Sequence, residues 1–244
     1  MEGISEFITA LYEGSVELRG EFLWGSNYTF LTVVSHLDQN IPAVYKPTRG
    51  VRPLWDFPKA SLAKREIAAF LISEALGWEL VPPTILRTDA PLGPGSLQMF
   101  VEHDPEYHYF NFRETHIQRL RPTVLFDVII NNADRKGSHI IFDPQDHLWL
   151  IDHGVCFHAV DKLRTVIWDF IDEDIPVELA KNISGLRDKL DPSNGVNSSL
   201  IKELKYYLSE IEIQALYERI GELLQSNKFP APDPTRRYYP WPEI

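Results

Sequence analysis

Cysteine occurs once in the 244 residues, at Cys156. A lone thiol forms no intramolecular disulfide and rules out a metal centre built from several thiolates, which suits a reducing cytosol. No uninterrupted apolar run approaches the roughly 20 residues needed to cross a bilayer. The opening Met1-Glu2-Gly3-Ile4-Ser5-Glu6 lacks a basic stretch followed by an apolar core. The expectation is a soluble, cytoplasmic protein. Positive charge is also scarce: 24 Lys and Arg against 35 Asp and Glu leave a formal net charge of −11. That field repels phosphate backbones and anionic membrane surfaces. Short basic clusters such as Lys64-Arg65 and Arg236-Arg237 do not reverse it, so neither nucleic acid nor stable membrane association is expected. The middle of the chain has no Gly/Ser or charged linker, no internal repeat and no low-complexity segment.

With 44% hydrophobic residues the chain has ample material for a core. Its patterning predicts two lobes. Ser15 to Leu23 and Tyr28 to Ser35, rich in aromatic and β-branched residues, read as a hairpin around Trp24-Gly25-Ser26-Asn27. A short strand Pro42 to Lys46 ends at Pro47. Apolar residues at helical spacing from Ser61 to Leu76, followed by Gly77, predict a helix and its stop. Thr84 to Arg87 and Ser96 to Val101 return as strands. Beyond Phe112 the pattern becomes helical, with Pro122 suited to a first turn. A second hairpin interrupts it, with strands Ser138 to Phe142 and Leu148 to Ile151 around Asp143-Pro144-Gln145-Asp146. Further helices are predicted at Thr165 to Phe170, Pro176 to Arg187, Ser199 to Leu208 and Ile211 to Leu224. The expected organisation is an N-terminal lobe over 1–102, a helical lobe over 103–229 and an extended tail over 230–244 that carries five prolines.

Asn131-Asn132-Ala133-Asp134-Arg135-Lys136 enters the second hairpin and Asp152-His153-Gly154 leaves it. An antiparallel hairpin returns its exit beside its entrance, so Asp134 and Asp152 converge. Either carboxylate alone reads as an ordinary turn residue. Together they suit phosphoryl transfer, in which Asp134 orients or deprotonates an acceptor and Asp152 holds a divalent cation against phosphates. Lys46, at a strand end, is placed to reach those phosphates, and Glu66 on the following helix to hold its ammonium; in isolation the pair would be a weak surface contact.

Val44-Tyr45-Lys46-Pro47, Arg65-Glu66-Ile67-Ala68-Ala69-Phe70, Asn132-Ala133-Asp134-Arg135 and Ile151-Asp152-His153-Gly154 resemble the successive motifs of phosphatidylinositol 3/4-kinase-like proteins, most of all a bacterial branch. The resemblance spans roughly Ser15 to Phe170, about two thirds of the chain. It implies an α+β, bilobal, protein-kinase-like fold, with a small antiparallel sheet and one helix preceding a mainly helical lobe that contains a hairpin. It also implies ATP with Mg2+ or Mn2+ as cofactors. The tip residues Ser26 and Asn27 would cover the phosphates, and the backbone of Gln98, Met99, Phe100 and Val101 would read the adenine edge.

One position departs from the family pattern. Five residues after Asp134, where these kinases usually carry an asparagine that binds a second metal, stands His139. An imidazole suits manganese or zinc better than magnesium, so the site would prefer a different ion or bind only one; equally, His139 would point into the hairpin core. Lys136 would neutralise charge on the transferred group, and Arg135 would lock the loop through backbone carbonyls. His-Glu-x-x-His spacing is absent, and Cys156 between Val155 and Phe157 reads as a core residue. The expected function is ATP-dependent phosphoryl transfer to a hydroxyl of a soluble small molecule or protein. The alternatives are a nucleotide-binding module without turnover and a kinase-fold adenylyltransferase.

Overall fold

The computed structural model describes residues 2–22, 28–49, 51, 54–58, 60–193 and 198–244. Ahead of the first strand, where the sequence pattern assigned nothing, runs helix α1 (Glu2–Glu13). Strands β1 (Ser15–Glu21), β2 (Phe30–His36) and β3 (Gln39–Pro47) follow, then helix α2 (Leu62–Leu76) and strands β4 (Thr84–Arg87) and β5 (Gly95–Met99). They form one antiparallel five-stranded sheet in the order β1-β2-β3-β5-β4. Alternation along β3 buries Ile41, Ala43 and Tyr45 on one face, where they share a core with Ala10 and Leu11 of α1 and with Ile85 and Leu97. Val44 and Lys46 therefore fall on the opposite face. Lys46 lies across from Ser96, and Pro47 from Gly95. A Cβ at Gly95 would run into the Lys46 carbonyl oxygen, so close approach at this pair requires glycine.

Helix α2 is buried nearly all round, including Arg65 and Glu66. A helix enclosed in this way faces packing partners on several sides. Its Ala68, Phe70 and Ile72 join a core with Leu125, Phe126 and Ile129 of helix α4 (Arg121–Ile130), and with Ile140 and Leu150 of the second hairpin. Each fully buried Leu, Ile or Phe contributes about 1.5–3 kcal/mol, so this shared core fastens α2 to the helical part. It ends at Gly77, whose φ of 69° closes the last turn through Gly77 N–H to Glu74 O and Trp78 N–H to Ser73 O.

After α2 and the sheet come the short helix α3 (Glu114–Ile117), α4, the hairpin β6 (Ile140–Phe142) and β7 (Leu148–Leu150), and helices α5 (Val177–Lys189), α6 (Ser199–Leu204) and α7 (Glu210–Ser226). Pro122 sits in the first turn of α4, and Asn131, with φ 52°, caps its end. Asp143 closes the hairpin turn by accepting from Gln145 N and His147 N.

Three expectations need correction. Ser138 and His139, expected in the first strand of the second hairpin, form a short helical turn with Gly137, and the strand begins at Ile140. Thr165 to Phe170 is not helical: Thr165 bridges Arg135 instead, and its amide donates to Tyr238 O. The α6 helix stops at Leu204, short of Leu208. The tail carries no helix or strand, yet it leaves the helical part at buried Phe229 and anchors again through buried Pro240. Among the described residues no helix is long and apolar enough to cross a membrane.

Candidate active site

Lys46, from the cleft face of β3, reaches two carboxylates. Its Nζ lies 2.5 Å from Glu66 Oε1 and 3.0 Å from Asp152 Oδ1. Burial pulls the Lys46 pKa down, but Asp152 and Glu66 outweigh it and hold the ammonium charged well above the ordinary lysine range. Lys46 in turn holds the Asp152 carboxyl far below the usual carboxylate range, against the effect of burial. Glu66 uses its second oxygen on the loop beyond the hairpin, accepting from His153 N–H at 2.8 Å. One carboxylate on α2 thus ties the strand lysine to the Asp152 turn. Asp152 itself has φ 64°, a left-handed conformation that costs about 1–3 kcal/mol and aims its half-exposed carboxylate into the cleft.

On the other side of the cleft, Asp134 follows α4 on a loop fixed from behind. Asn132 Oδ1 accepts from Asp134 N–H at 3.0 Å, and Asn132 Nδ2 donates to Asp127 at 2.9 Å. Arg135, fully buried, pairs with equally buried Asp127 at 2.9 Å. Its remaining donors go to Ile151 O, His139 O and His153 Nε2. The expected backbone-locking arginine is present, and it clamps the entrance and exit of the hairpin together. Asp134 is pushed up to about 6 by burial, against the pull of Lys136 and with repulsion from Asp152. Lys136 Nζ lies 3.6 Å from Asp134 Oδ2.

His139 is held neutral, its pKa lowered to about 4 by burial against the attraction of Asp152. Its Nε2 faces Asp152 Oδ2 at 3.3 Å, and its Nδ1 faces Lys136 N–H at 3.5 Å. These contacts favour the tautomer with the proton on Nε2, and in that tautomer the imidazole does not ligate a metal at that nitrogen. Cys156 is buried, and burial raises its thiol well above the usual range, as fits a core residue.

At the strand expected to read adenine, Gln98 is buried and donates its side-chain amide to Thr84 Oγ1. Met99 N–H goes to Pro83 O and Phe100 N–H to Pro42 O. These two amides are spent on neighbouring chain, which leaves Val101 as the first residue past the last such bond. Ser26 and Asn27 lie outside the described residues.

Residues 62–206 match the family model described as Phosphatidylinositol 3- and 4-kinase, more than half of the chain. The chain belongs to this family. The phosphatidylinositol 3- and 4-kinase family consists of kinase-type phosphotransferases, and the matched span contains Glu66, Asp134 and Asp152 but not Lys46. Protein Rv2133c of Mycobacterium tuberculosis is 35% identical over 267 aligned positions, covering 95% of this chain and 93% of that protein. Among solved structures, the Helicobacter pylori proinflammatory kinase CtkA superposes with a TM-score of 0.53 at 12% identity, over 90% of this chain and 94% of that one. The Golgi casein kinase with Mn/ADP bound superposes with a TM-score of 0.54 at 16% identity, over 100% of this chain and 81% of that one. At such identities the likeness is one of fold, and the fold is kinase-like.

Two elements of the site escaped the sequence reading. Asp127 lies within an apolar helix, and only its place one turn before Asn131 marks it as an anchor. His153 reads as one more histidine, whereas its fully buried ring accepts from Arg135 and is held neutral by burial and by that guanidinium.

Proposed function

We propose that this protein transfers the γ-phosphoryl group of ATP to a hydroxyl of a soluble small molecule or protein. The observation that carries this reading is the convergence on Lys46 Nζ of Glu66 at 2.5 Å and Asp152 at 3.0 Å. A charged lysine held by a helix glutamate beside a half-exposed aspartate is suited to fix nucleotide phosphates. Val44, on the same face as Lys46, offers an apolar surface for the base and the Val101 amide a donor for its edge, while the Val101 carbonyl pairs with His103 Nδ1 at 2.8 Å. The family membership and the Mn/ADP-bound structural neighbour support nucleotide use.

The donor set fits one hard divalent cation. Asp152 supplies carboxylate oxygen, and among the described residues no group of three or more His, Cys, Asp and Glu is arranged as a metal centre. A cation held by one or two carboxylates together with phosphate oxygens and water is the usual arrangement for magnesium, and manganese suits the same oxygens. When bound, the ion would neutralise charge on the phosphates.

Asp134, with its pKa near 6, is placed to accept or align the acceptor's hydroxyl proton. Lys136 beside it offsets charge on the transferred group. Catalysis on this reading is chiefly positioning, and Arg135 sets the spacing by gripping both ends of the hairpin.

A second reading, nucleotide binding without turnover, is favoured by His139, whose tautomer turns an N–H toward Asp152. Incubating the protein with ATP, Mg2+ or Mn2+ and pooled metabolites and proteins, and following all three phosphates, separates the readings. Transfer of γ-phosphate supports the proposal. Pyrophosphate release would assign adenylyl transfer, and nucleotide bound but unchanged would assign the silent module.

A further inference from the structure

The tail beyond Phe229 does not simply lie on the surface. It crosses the acceptor side of the cleft and consumes backbone donors on both flanks of Asp134. On one flank, Thr165 N–H donates to Tyr238 O at 3.1 Å. Thr165 is the residue that bridges Arg135, with Arg135 N–H to Arg164 O at 3.0 Å and Val166 N–H to Arg135 O at 3.2 Å, so Tyr238 adds a third extended segment to this pair. On the other flank, Gly137 N–H donates to Glu243 O at 2.8 Å. The Tyr238 ring packs edge-on against Trp168 and tilted against Tyr239. Across the catalytic loop stand Tyr109, whose hydroxyl donates to Asp169 at 2.7 Å, and Phe110, which would touch any Cβ placed at Gly137.

One recurring way to recognise an extended polypeptide is to pair it with exposed backbone donors, so that main-chain hydrogen bonds supply the affinity. Beside Asp134 two backbone donors are available for such pairing, Thr165 N–H beside the Arg135 bridge and Gly137 N–H at the start of a short helical turn, and the chain's own tail already takes both. Asp134 keeps 33% of its side chain exposed and Lys136 19%, so the reacting groups remain open to a compact molecule. We infer that residues 238–243 are a built-in wall of the acceptor subsite that takes both backbone donors and restricts the acceptor to small hydroxyl compounds. This inference rests on the phosphotransfer reading and narrows its acceptor from a small molecule or protein to a small molecule.

The test follows labelled γ-phosphate from ATP with Mn2+ into two acceptors, a mixture of dialysable metabolites and dephosphorylated casein as an unfolded polypeptide. The full chain is compared with a chain ending at Arg237 and with Tyr238→Ala, which loosens the tail without shortening it. Retained nucleotide binding verifies that each variant folds. The full chain should label metabolites and leave casein unlabelled. Freeing the two donors should raise casein labelling by roughly 5- to 150-fold, since each recovered backbone hydrogen bond is worth about 0.5–1.5 kcal/mol. Casein labelled by the full chain as readily as metabolites, or unchanged by both variants, overturns the inference. Nucleotide-loaded protein that labels neither acceptor in any form counts instead against phosphotransfer. The wall is then read from amide hydrogen exchange at Thr165 and Gly137, which should be slow in the full chain and fast in the shortened one; equal rates overturn it.

Discussion

Lys46 Nζ stands 3.0 Å from Asp152 Oδ1, although 106 residues separate the two in sequence. The lysine comes from a sheet strand and the aspartate from the exit of a hairpin in the helical part, so this contact spans the cleft in which phosphates would lie. A charge-assisted contact is worth about 1.5–3 kcal/mol. Lys46→Ala should therefore weaken ATP binding by roughly 10–100-fold while leaving adenosine affinity unchanged. Calorimetric titration of both ligands reads this directly, and equal losses for ATP and adenosine would remove Lys46 from the phosphate site.

Asp152→Asn keeps the shape of the side chain and removes the charge that a cation requires. ATP affinity measured with Mg2+ or Mn2+ should fall, and affinity measured in EDTA should not. If the variant binds ATP with the same dependence on metal as the parent, Asp152 is not the ligand.

The raised pKa of Asp134 has a consequence for stability. Its folded value of about 6 lies above the ordinary 3.8, so ionisation disfavours the folded state: any benefit of the protonated form is complete below the ordinary value and is lost as pH rises through about 6. Asp134→Asn should accordingly raise the unfolding temperature at pH 7 to 8, with the gain shrinking as pH falls from about 6 to about 4. Thermal melts across this range test it. A gain that is constant with pH would place the effect elsewhere.

Arg135 and Asp127 form an ion pair with no exposure on either side. Removing one partner of such a pair leaves an uncompensated buried charge and costs about 3–5 kcal/mol. Arg135→Met should lose this much in urea unfolding, whereas Arg237→Met on the exposed tail should stay within about 0.5 kcal/mol of the parent. A loss below about 1 kcal/mol at Arg135 would contradict the clamp described above.

Where local pattern decides structure, the sequence was readable. Helix α2 was visible from its spacing and Gly77, and the second hairpin from its alternation and turn, and that hairpin was enough to bring the Asp134 loop and the Asp152 loop together. Helix α1 carries a helical spacing of its own, Ile4, Phe7, Ile8 and Leu11, which the membrane and export criteria at the N-terminus do not register. The Thr165 to Phe170 segment misled because its helical spacing is overridden from a distance: its amides bind Arg135 O and Tyr238 O, partners that no local window contains. The same holds for Asp127 and His153, whose roles arise from the reach of Arg135 across 8 and 18 residues. Proline content indicated an extended tail, but not that its backbone would dock beside the Asp134 loop.

The most direct test of the phosphotransfer site is γ-phosphate transfer by Asp134→Asn under saturating ATP. The substitution should leave nucleotide affinity intact and lower transfer by about 10²–10⁴-fold, the usual contribution of a positioned acid or base. Transfer at the parent rate, or loss of nucleotide binding in step with transfer, would contradict the division of labour between Asp134 at the acceptor and Lys46 with Asp152 at the phosphates.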